Sequence, residues 1–426
     1  MYLRGSKFNM TRRKKGSNPF RILFLLVLVG VGVYFAFVVV PVTPPLFVPT
    51  KTPTRAPEAY VSDAEGLANQ GKFTQAIQAY HLAIQNDPRN ISNHISLARL
   101  LLYTGNYKDA ISSAENALVI NANNSMAQAI RGYALGFQGD YLGAEASLQK
   151  ALDLDSKNAI AYAYYTEVLV LEINDQKNAL GALDKATEFS HTAQSLGPDM
   201  METHRARGVL LENTANYEEA AAEFSAAIAI NPNIADLHLA LGRNYRQLQQ
   251  YPKAIEEFNR ANALNPFDSL ADTYISRTYL STGDYAKAVQ YALAAIKISP
   301  SDPYMYGNLG VSYYRFKQYT EAVAPLKLAV RGGATADGQQ VQGIPLDYNI
   351  RITEFYYSYG LALAHTGACG EALQISQMIQ QVVPDDETSV YNAQEMPKIC
   401  QEQLTGTSTP TKPANPSNSG TATPKP

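Results

Sequence analysis

The chain has 426 residues, 46% of them apolar and 17% charged, a balance far from disordered composition and sufficient for one large core or several small ones. Its formal net charge is -3, yet seven of its 35 Lys and Arg precede residue 22 with no acid among them, leaving 28 basic against 38 acidic residues, a net of -10. Such a body argues against nucleic-acid binding.

The first segment, residues 1–21, is basic, with Arg12, Arg13, Lys14, Lys15 and Arg21 crowded before an apolar run. That run, Ile22 to Val40, has 19 residues and no charge; at about 1.5 Å per residue it nearly crosses a hydrocarbon core of about 30 Å. A transmembrane anchor is predicted over 22–40. A cleaved secretory signal is the alternative, but the run exceeds the usual length of roughly 7–15 residues and no small-x-small cleavage site follows. Only Lys51 and Arg55 lie soon after the run, so the positive-inside rule predicts a cytoplasmic N-terminus and an extracytoplasmic remainder. Residues 41–56, rich in Pro and Thr, predict an extended stalk. Residues 405–426, TGTSTPTKPANPSNSGTATPKP, have almost nothing to bury and are expected to be a disordered tail.

Between stalk and tail one phrase recurs: GNYKDA at Gly105, GDYLGA at Gly139, ANYEEA at Ala215 and GDYAKA at Gly283. An aromatic stands at Phe73, Tyr107, Tyr141, Tyr217, Tyr251, Tyr285 and Tyr319, spaced by 34 residues except for one interval of 76. Three residues after each comes Ala76, Ala110, Ala144, Ala220, Ala254, Ala288 or Ala322, and seven further on another alanine, from Ala83 to Ala329. Small residues on one stripe let helices approach closely. The first half of each period is a second amphipathic helix, as in HLALGRNY from His238, where His238, Leu241, Gly242 and Tyr245 share a face. Proline or Asn-rich loops close the periods, predicting stacked helical hairpins, none of which covers its own apolar face alone.

These residues resemble the tetratricopeptide repeat family, through its aromatic-x2-Leu-Gly-x2-Tyr, Ala-x3-Phe and final-Pro pattern. The pattern is fullest at 235–268 (His238, Leu241, Gly242, Tyr245, Ala254, Phe258, Pro266) and at 303–336 (Tyr306, Leu309, Gly310, Tyr313, Tyr319, Ala322). Nine periods are expected over 57–386: 57–90, 91–124, 125–158, 159–200, 201–234, 235–268, 269–302, 303–336 and 353–386. Insertions are expected near 172–179 and at 337–352. Asp63 replaces the usual leucine in the first period, and the fourth has Leu183 and Ala186 where the aromatic and alanine belong. The resemblance implies an all-α fold, a right-handed superhelical solenoid of about nine hairpins. A further helix over 387–404 is expected to cap it.

No catalytic constellation is present: there is no GxSxG and no GxxxxGK[ST]. His94, His204 and His238 take the fourth place of their periods, where the pattern has a large aromatic, so core filling accounts for them, and no histidine pair has metal-ligand spacing. DLDSKN, Asp153 to Asn158, lacks the turn glycine and distal glutamate of a calcium loop. Neither cofactor nor metal is expected, nor enzyme activity. Cys369 opens the last repeat's second helix and Cys400 falls near the end of the cap helix, so the two are expected to be neighbours, either as a disulfide or as two buried free thiols.

In proteins similar to this one, the second, fifth, ninth, twelfth and thirteenth places of each first helix face the groove. Periods two and three place there Ile95, Arg99, Leu102, Tyr103, Tyr133 and Phe137, an apolar and aromatic wall. Periods five to eight place there Arg205, Arg243, Arg246, Arg277, Tyr304, Tyr314 and Arg315. Exposed aromatics and fork-shaped guanidiniums fit a protein or peptide partner with an apolar and an acidic part. The lysine and asparagine clamp of the chaperone-binding branch of the family is missing. The expected protein is a membrane-anchored, non-enzymatic scaffold that holds a partner near the membrane. A self-associating structural or cell-envelope element, and a regulatory subunit of a membrane enzyme complex, are the alternatives.

Overall fold

The computed structural model describes residue 16 and residues 18–39, 56–175 and 181–405. Arg12 to Lys15, the stalk before residue 56, residues 176–180 of the first insertion and the tail from residue 406 lie outside the described residues. The chain divides into two compact units, Met1–Ala56 and Pro57–Pro426.

In the first unit, helix α1 (Pro19–Tyr34) runs into a π-helical turn, Phe35–Val39. Its start is fixed locally: the Asn18 side chain accepts from the Phe20 N–H at 3.2 Å, and Pro19 holds the first position, where its missing N–H costs nothing. The helix therefore begins three residues before the apolar run and carries Arg21 in its first turn. Pro19–Val38 has a mean hydropathy of 2.5 over 20 residues and is wholly exposed, long and apolar enough to cross a membrane. A signal sequence meets the same description.

The second unit is a stack of helical hairpins. Its first four are α2 (Pro57–Asn69) with α3 (Phe73–Asn86), α4 (Ile91–Tyr103) with α5 (Tyr107–Ile120), α6 (Ser125–Phe137) with α7 (Tyr141–Leu154), and α8 (Ala159–Asp175) with α9 (Ala182–Leu196). Four more are α10 (Met201–Asn213) with α11 (Tyr217–Ile230), α12 (Ala235–Gln247) with α13 (Tyr251–Leu264), α14 (Ser269–Thr282) with α15 (Tyr285–Ile298), and α16 (Pro303–Arg315) with α17 (Tyr319–Arg331). The ninth pairs α18 (Ile350–His365) with α19 (Cys369–Val382), and α20 (Glu387–Thr405) packs against both. Among the described residues, nine hairpins and a closing helix, as the 34-residue period predicts, form the solenoid.

The recurring phrase has a physical explanation in this stack. Each of the seven aromatics is the first residue of its second helix. Tyr107 stacks on Phe137 with ring centroids 4.6 Å apart, and Tyr319 on His365 at 4.0 Å, so an opener reaches the end of the next first helix. The alanine three residues on is fully buried in all seven repeats, and Ala186 is buried in the fourth. Close approach also explains Gly242, where an added Cβ would lie 2.5 Å from Phe258 Cε1.

The fourth place carries more than core filling. Nε2 of His94 and of His238 and the Tyr306 hydroxyl each lie within 3.0 Å of the carbonyl six residues earlier, of Pro88, Pro232 and Pro300. A polar tip there ties each first helix to the loop that precedes it.

The second insertion differs from the sequence reading. It begins at Gly332, five residues earlier than 337, and contains a two-stranded antiparallel ribbon, β1 (Gly332–Ala334) with β2 (Gln340–Gln342). Gly332 has φ 71°, and a Cβ there would strike the Gly343 nitrogen at 2.5 Å. Val341 and Ile344 are buried in the core of the last hairpins, and Tyr356 donates to the Ile344 carbonyl at 2.8 Å. The ribbon is thus packed down, and α18 starts at Ile350 rather than 353. At the far end Cys369 and Cys400 are joined as a disulfide, with Cα atoms 5.6 Å apart, linking the start of α19 to α20.

Candidate partner-binding face

The first helices of successive hairpins contact one another in order, α4 on α6, α6 on α8, α8 on α10, and so to α16 on α18, and these helices carry the places selected from the sequence. Their surroundings divide these places into two halves.

In the first half the wall is filled by the chain itself. Arg99 and the Tyr103 hydroxyl both reach Glu202 of α10, at 2.5 and 2.8 Å. Burial works against the Arg99 charge, but Tyr103 and Glu202 outweigh it and hold the guanidinium above its ordinary value. Nearby, Asn233 donates to the Asn69 carbonyl at 3.2 Å, and Phe73 and Tyr103 pack against the core of α10 to α12. The first two hairpins therefore fold onto the fifth and sixth. Deeper still, Arg205 donates to Glu167 at 2.9 Å and to the Tyr133 hydroxyl at 2.8 Å, while Tyr133 donates to Glu167 at 2.8 Å. Tyr133, Glu167 and Arg205 are all under 5% exposed.

This corrects the reading of Tyr133 and Arg205 as groove-facing contacts. They form a closed, buried triangle, because desolvated charges persist only where each has a partner. Phe137 is half-buried against Tyr107 and Tyr133. Arg243 is occupied too: its Nε and Nη2 grip the two oxygens of Glu212 at 2.8 and 2.9 Å. Phe137, Glu167, Glu212, Asp236, Arg243 and Gln247 bound a cavity of about 560 Å³, more acidic than the aromatic wall expected there.

The second half is different. Arg246 of α12, Arg277 of α14 and Arg315 of α16 meet Glu354 of α18 around a cavity of about 260 Å³, with Leu280 and Ser281. Glu354 is shared at longer range, 3.5 Å from Arg277 and 3.6 Å from Arg315. Among the described residues the Arg246 Nε and Arg277 Nη1 are buried without a hydrogen-bond partner. Burial, then repulsion from Arg277 and Arg243, lower the Arg246 guanidinium from its ordinary value. Arg351, whose guanidinium lies 5.2 Å from the Tyr304 ring centre, has unpartnered Nε and Nη2, and burial and the Arg277 charge bring it down to about 10. Tyr314 stands beside Tyr319, ring centroids 5.7 Å apart.

Glu167, Glu202, Glu212, Asp236 and Glu354 were not singled out from the sequence, though a signal for them existed. They take the ninth, second, twelfth, second and second places of their periods, all within the set of places read as groove-facing. Arg351 was missed because it precedes the ninth period as counted.

The architecture defines a class: a solenoid of helical hairpins, each pair packed on the next by a recurrent aromatic and alanine. The fold is that of a tetratricopeptide repeat solenoid, and the sequence profile of the tetratricopeptide repeat matches residues 95–159, 239–303 and 276–337. Similar solved structures include the APC/C hetero-tetramer Cut9–Hcn1, at 17% identity over 60% of this chain and 49% of that one, with a TM-score of 0.47. This chain therefore spans about half of that relative's length. A tetratricopeptide repeat protein from Parabacteroides merdae ATCC 43184 is 18% identical over 65% of this chain and 98% of its own (TM-score 0.44), and PilF of Pseudomonas aeruginosa is 19% identical over 55% and 99% (TM-score 0.38). No curated protein matches the chain. The fold is that of a scaffold for protein–protein interaction.

Proposed function

We propose that this protein is a non-enzymatic, membrane-anchored scaffold that binds a protein partner on the inner wall of its solenoid and holds it near the membrane. The observation that carries the reading is the charge of the second half of the wall: Arg246, Arg277 and Arg315 face a single acid, Glu354, in a chain that is otherwise acidic beyond its first residues. Guanidiniums left with free donors fit an acidic segment of the partner. Anchoring is supported by the apolar Pro19–Val38 helix and the basic residues before it, which favour a cytoplasmic N-terminus and an extracytoplasmic solenoid.

The test is crosslinking and capture from intact membranes, comparing the wild type with a triple Arg246→Glu, Arg277→Glu, Arg315→Glu variant. Arg243 is left intact because its bidentate pair with Glu212 is structural. A protein lost from the variant, with helicity unchanged by circular dichroism, supports the reading; an identical set of captured proteins refutes the arginine face as the docking site. Protease shaving of intact cells addresses the anchor: a solenoid protected from protease would reverse the proposed topology.

A further inference from the structure

The small arginine-lined cavity has features that an acidic segment in general does not require. Three guanidiniums and one carboxylate line it, a net charge of +2, and Arg351 adds a further positive charge from beside Arg277. The lining comes from four first helices, α12, α14, α16 and α18, whose mutual packing fixes the spacing of the charges. At about 260 Å³, the space suits a small oxyanion. Among the described residues, two donors of its lining arginines, Arg246 Nε and Arg277 Nη1, are buried without partners. A carboxylate brings one charge and two oxygens, whereas a phosphate group brings nearly two charges at neutral pH and three strongly accepting oxygens. With Glu354 displaced the lining carries three positive charges, which a dianion offsets further than a single carboxylate does.

We propose that this cavity binds a phosphate group as its dianion, held by Arg246, Arg277 and Arg315 in place of Glu354. The inference rests on the reading above for its place on the inner wall, and it names the chemistry of the group recognised there. Free phosphate and a phosphorylated side chain of a partner share that chemistry. Glu354 acts as the resident competitor: it occupies the guanidiniums at 3.5 and 3.6 Å, close enough to stabilise the empty cavity and loose enough to be displaced.

The experiment is isothermal titration of the detergent-solubilised full chain with sodium phosphate, sodium acetate and a short phosphoserine peptide, at constant ionic strength and pH 7.5. Calorimetry suits a chain without tryptophan. Phosphate is expected to bind with Kd below about 1 mM, at least about tenfold tighter than acetate. Arg246→Gln and Arg277→Gln are each expected to weaken it about tenfold or more, as loss of a charged hydrogen bond does. Glu354→Gln is expected to tighten it several-fold, a gain that misfolding does not produce. Phosphopeptide binding tighter than phosphate assigns the site to a phosphorylated partner; equal or weaker binding assigns it to the free ion. Phosphate no tighter than acetate, or indifference to Glu354→Gln, overturns the proposal. Were phosphate to fail while the triple arginine variant still lost a captured protein, the docking face would stand and this ligand chemistry would fall.

Discussion

Replacing Glu167 by leucine removes the carboxylate that is hydrogen-bonded to Arg205 in the buried triangle, leaving Asp236 as a more distant counter-charge. Arg205 is 4% exposed and, among the described residues, donates to Glu167 and Tyr133. A guanidinium does not shed its proton to escape burial, so the variant leaves an uncompensated buried charge, at a cost of about 3–5 kcal/mol. Replacing Arg205 by leucine is less severe. The abandoned Glu167 is already raised from its ordinary value by burial, against the pull of Arg205, so it takes up a proton and keeps its hydrogen bond to Tyr133; about 1–3 kcal/mol is expected, the price of an imperfectly satisfied buried group. The double variant, Glu167→Leu with Arg205→Leu, leaves neither charge and is expected within about 2 kcal/mol of the wild type. The assay is urea unfolding followed by far-ultraviolet circular dichroism, with the three variants compared at the first transition, since a solenoid need not unfold in one step. A Glu167→Leu loss below about 1 kcal/mol, or a double variant worse than Glu167→Leu alone, would falsify the account of the triangle as a desolvated pair.

Other expectations follow from the same structure. Ala215, Gln249 and Lys317 occupy, with φ of 60°, 58° and 61°, the turn that other repeats give to glycine; each change to Gly relieves about 1–2 kcal/mol of left-handed strain against about 0.5–1 kcal/mol of added unfolded-state entropy, so small gains in melting temperature are expected and uniform losses would refute the strain. Gly242→Ala drives a methyl into Phe258 and should cost about 1–3 kcal/mol, read as a lower urea midpoint. Reducing the Cys369–Cys400 bridge, which spans 31 residues, should lower stability by roughly 3.5–4 kcal/mol on the chain-entropy estimate, and a melting temperature unmoved by reductant would contradict it. Glu202 is raised by burial but lowered further by Arg99 and the Tyr103 hydrogen bond, for a net depression below 4.5. A depressed carboxylate stabilises above its unfolded value and loses that stability as pH falls through the folded value. Wild type and Glu202→Gln should therefore differ most at pH 7, and the difference should shrink as pH falls below the unfolded carboxylate range and through the lower folded value.

The fold was legible because its period is written twice over, by an aromatic at 34-residue spacing and by two alanines behind it. Both devices act between neighbours in sequence, where spacing translates directly into contact. The ribbon at 332–342 was not legible: Gly332 to Ala334 is GGA, with no alternation to mark a strand, and it forms only because β2 and the last hairpins are there to receive it. The pairing of the side chains chosen for the candidate face was not legible. Arg99 and Glu202 are 103 residues apart, and Arg205 and Tyr133 are 72 apart; no local pattern joins them. Selecting one sign of charge from places that hold both also made the wall look more basic than it is.

Where a ligand can act on this wall follows from the tightness of the pairs already there. An anion approaching Arg99 or Arg205 must displace Glu202 or Glu167 from contacts of 2.5 and 2.9 Å, and the displaced carboxylate, under 5% exposed, has no water to receive it. That exchange replaces one buried pair by another and adds a stranded charge, so it is unfavourable whatever the ligand. At Arg277 and Arg315 the resident Glu354 sits 3.5 and 3.6 Å away, with its side chain 16% exposed against 4% for Glu202 and Glu167, so its displacement strands less charge than theirs. Arg246 adds a buried donor with nothing to lose. The sequence places arginines along both halves; among the described residues, the balance of desolvation and pairing favours the second as the place of the docking face proposed above.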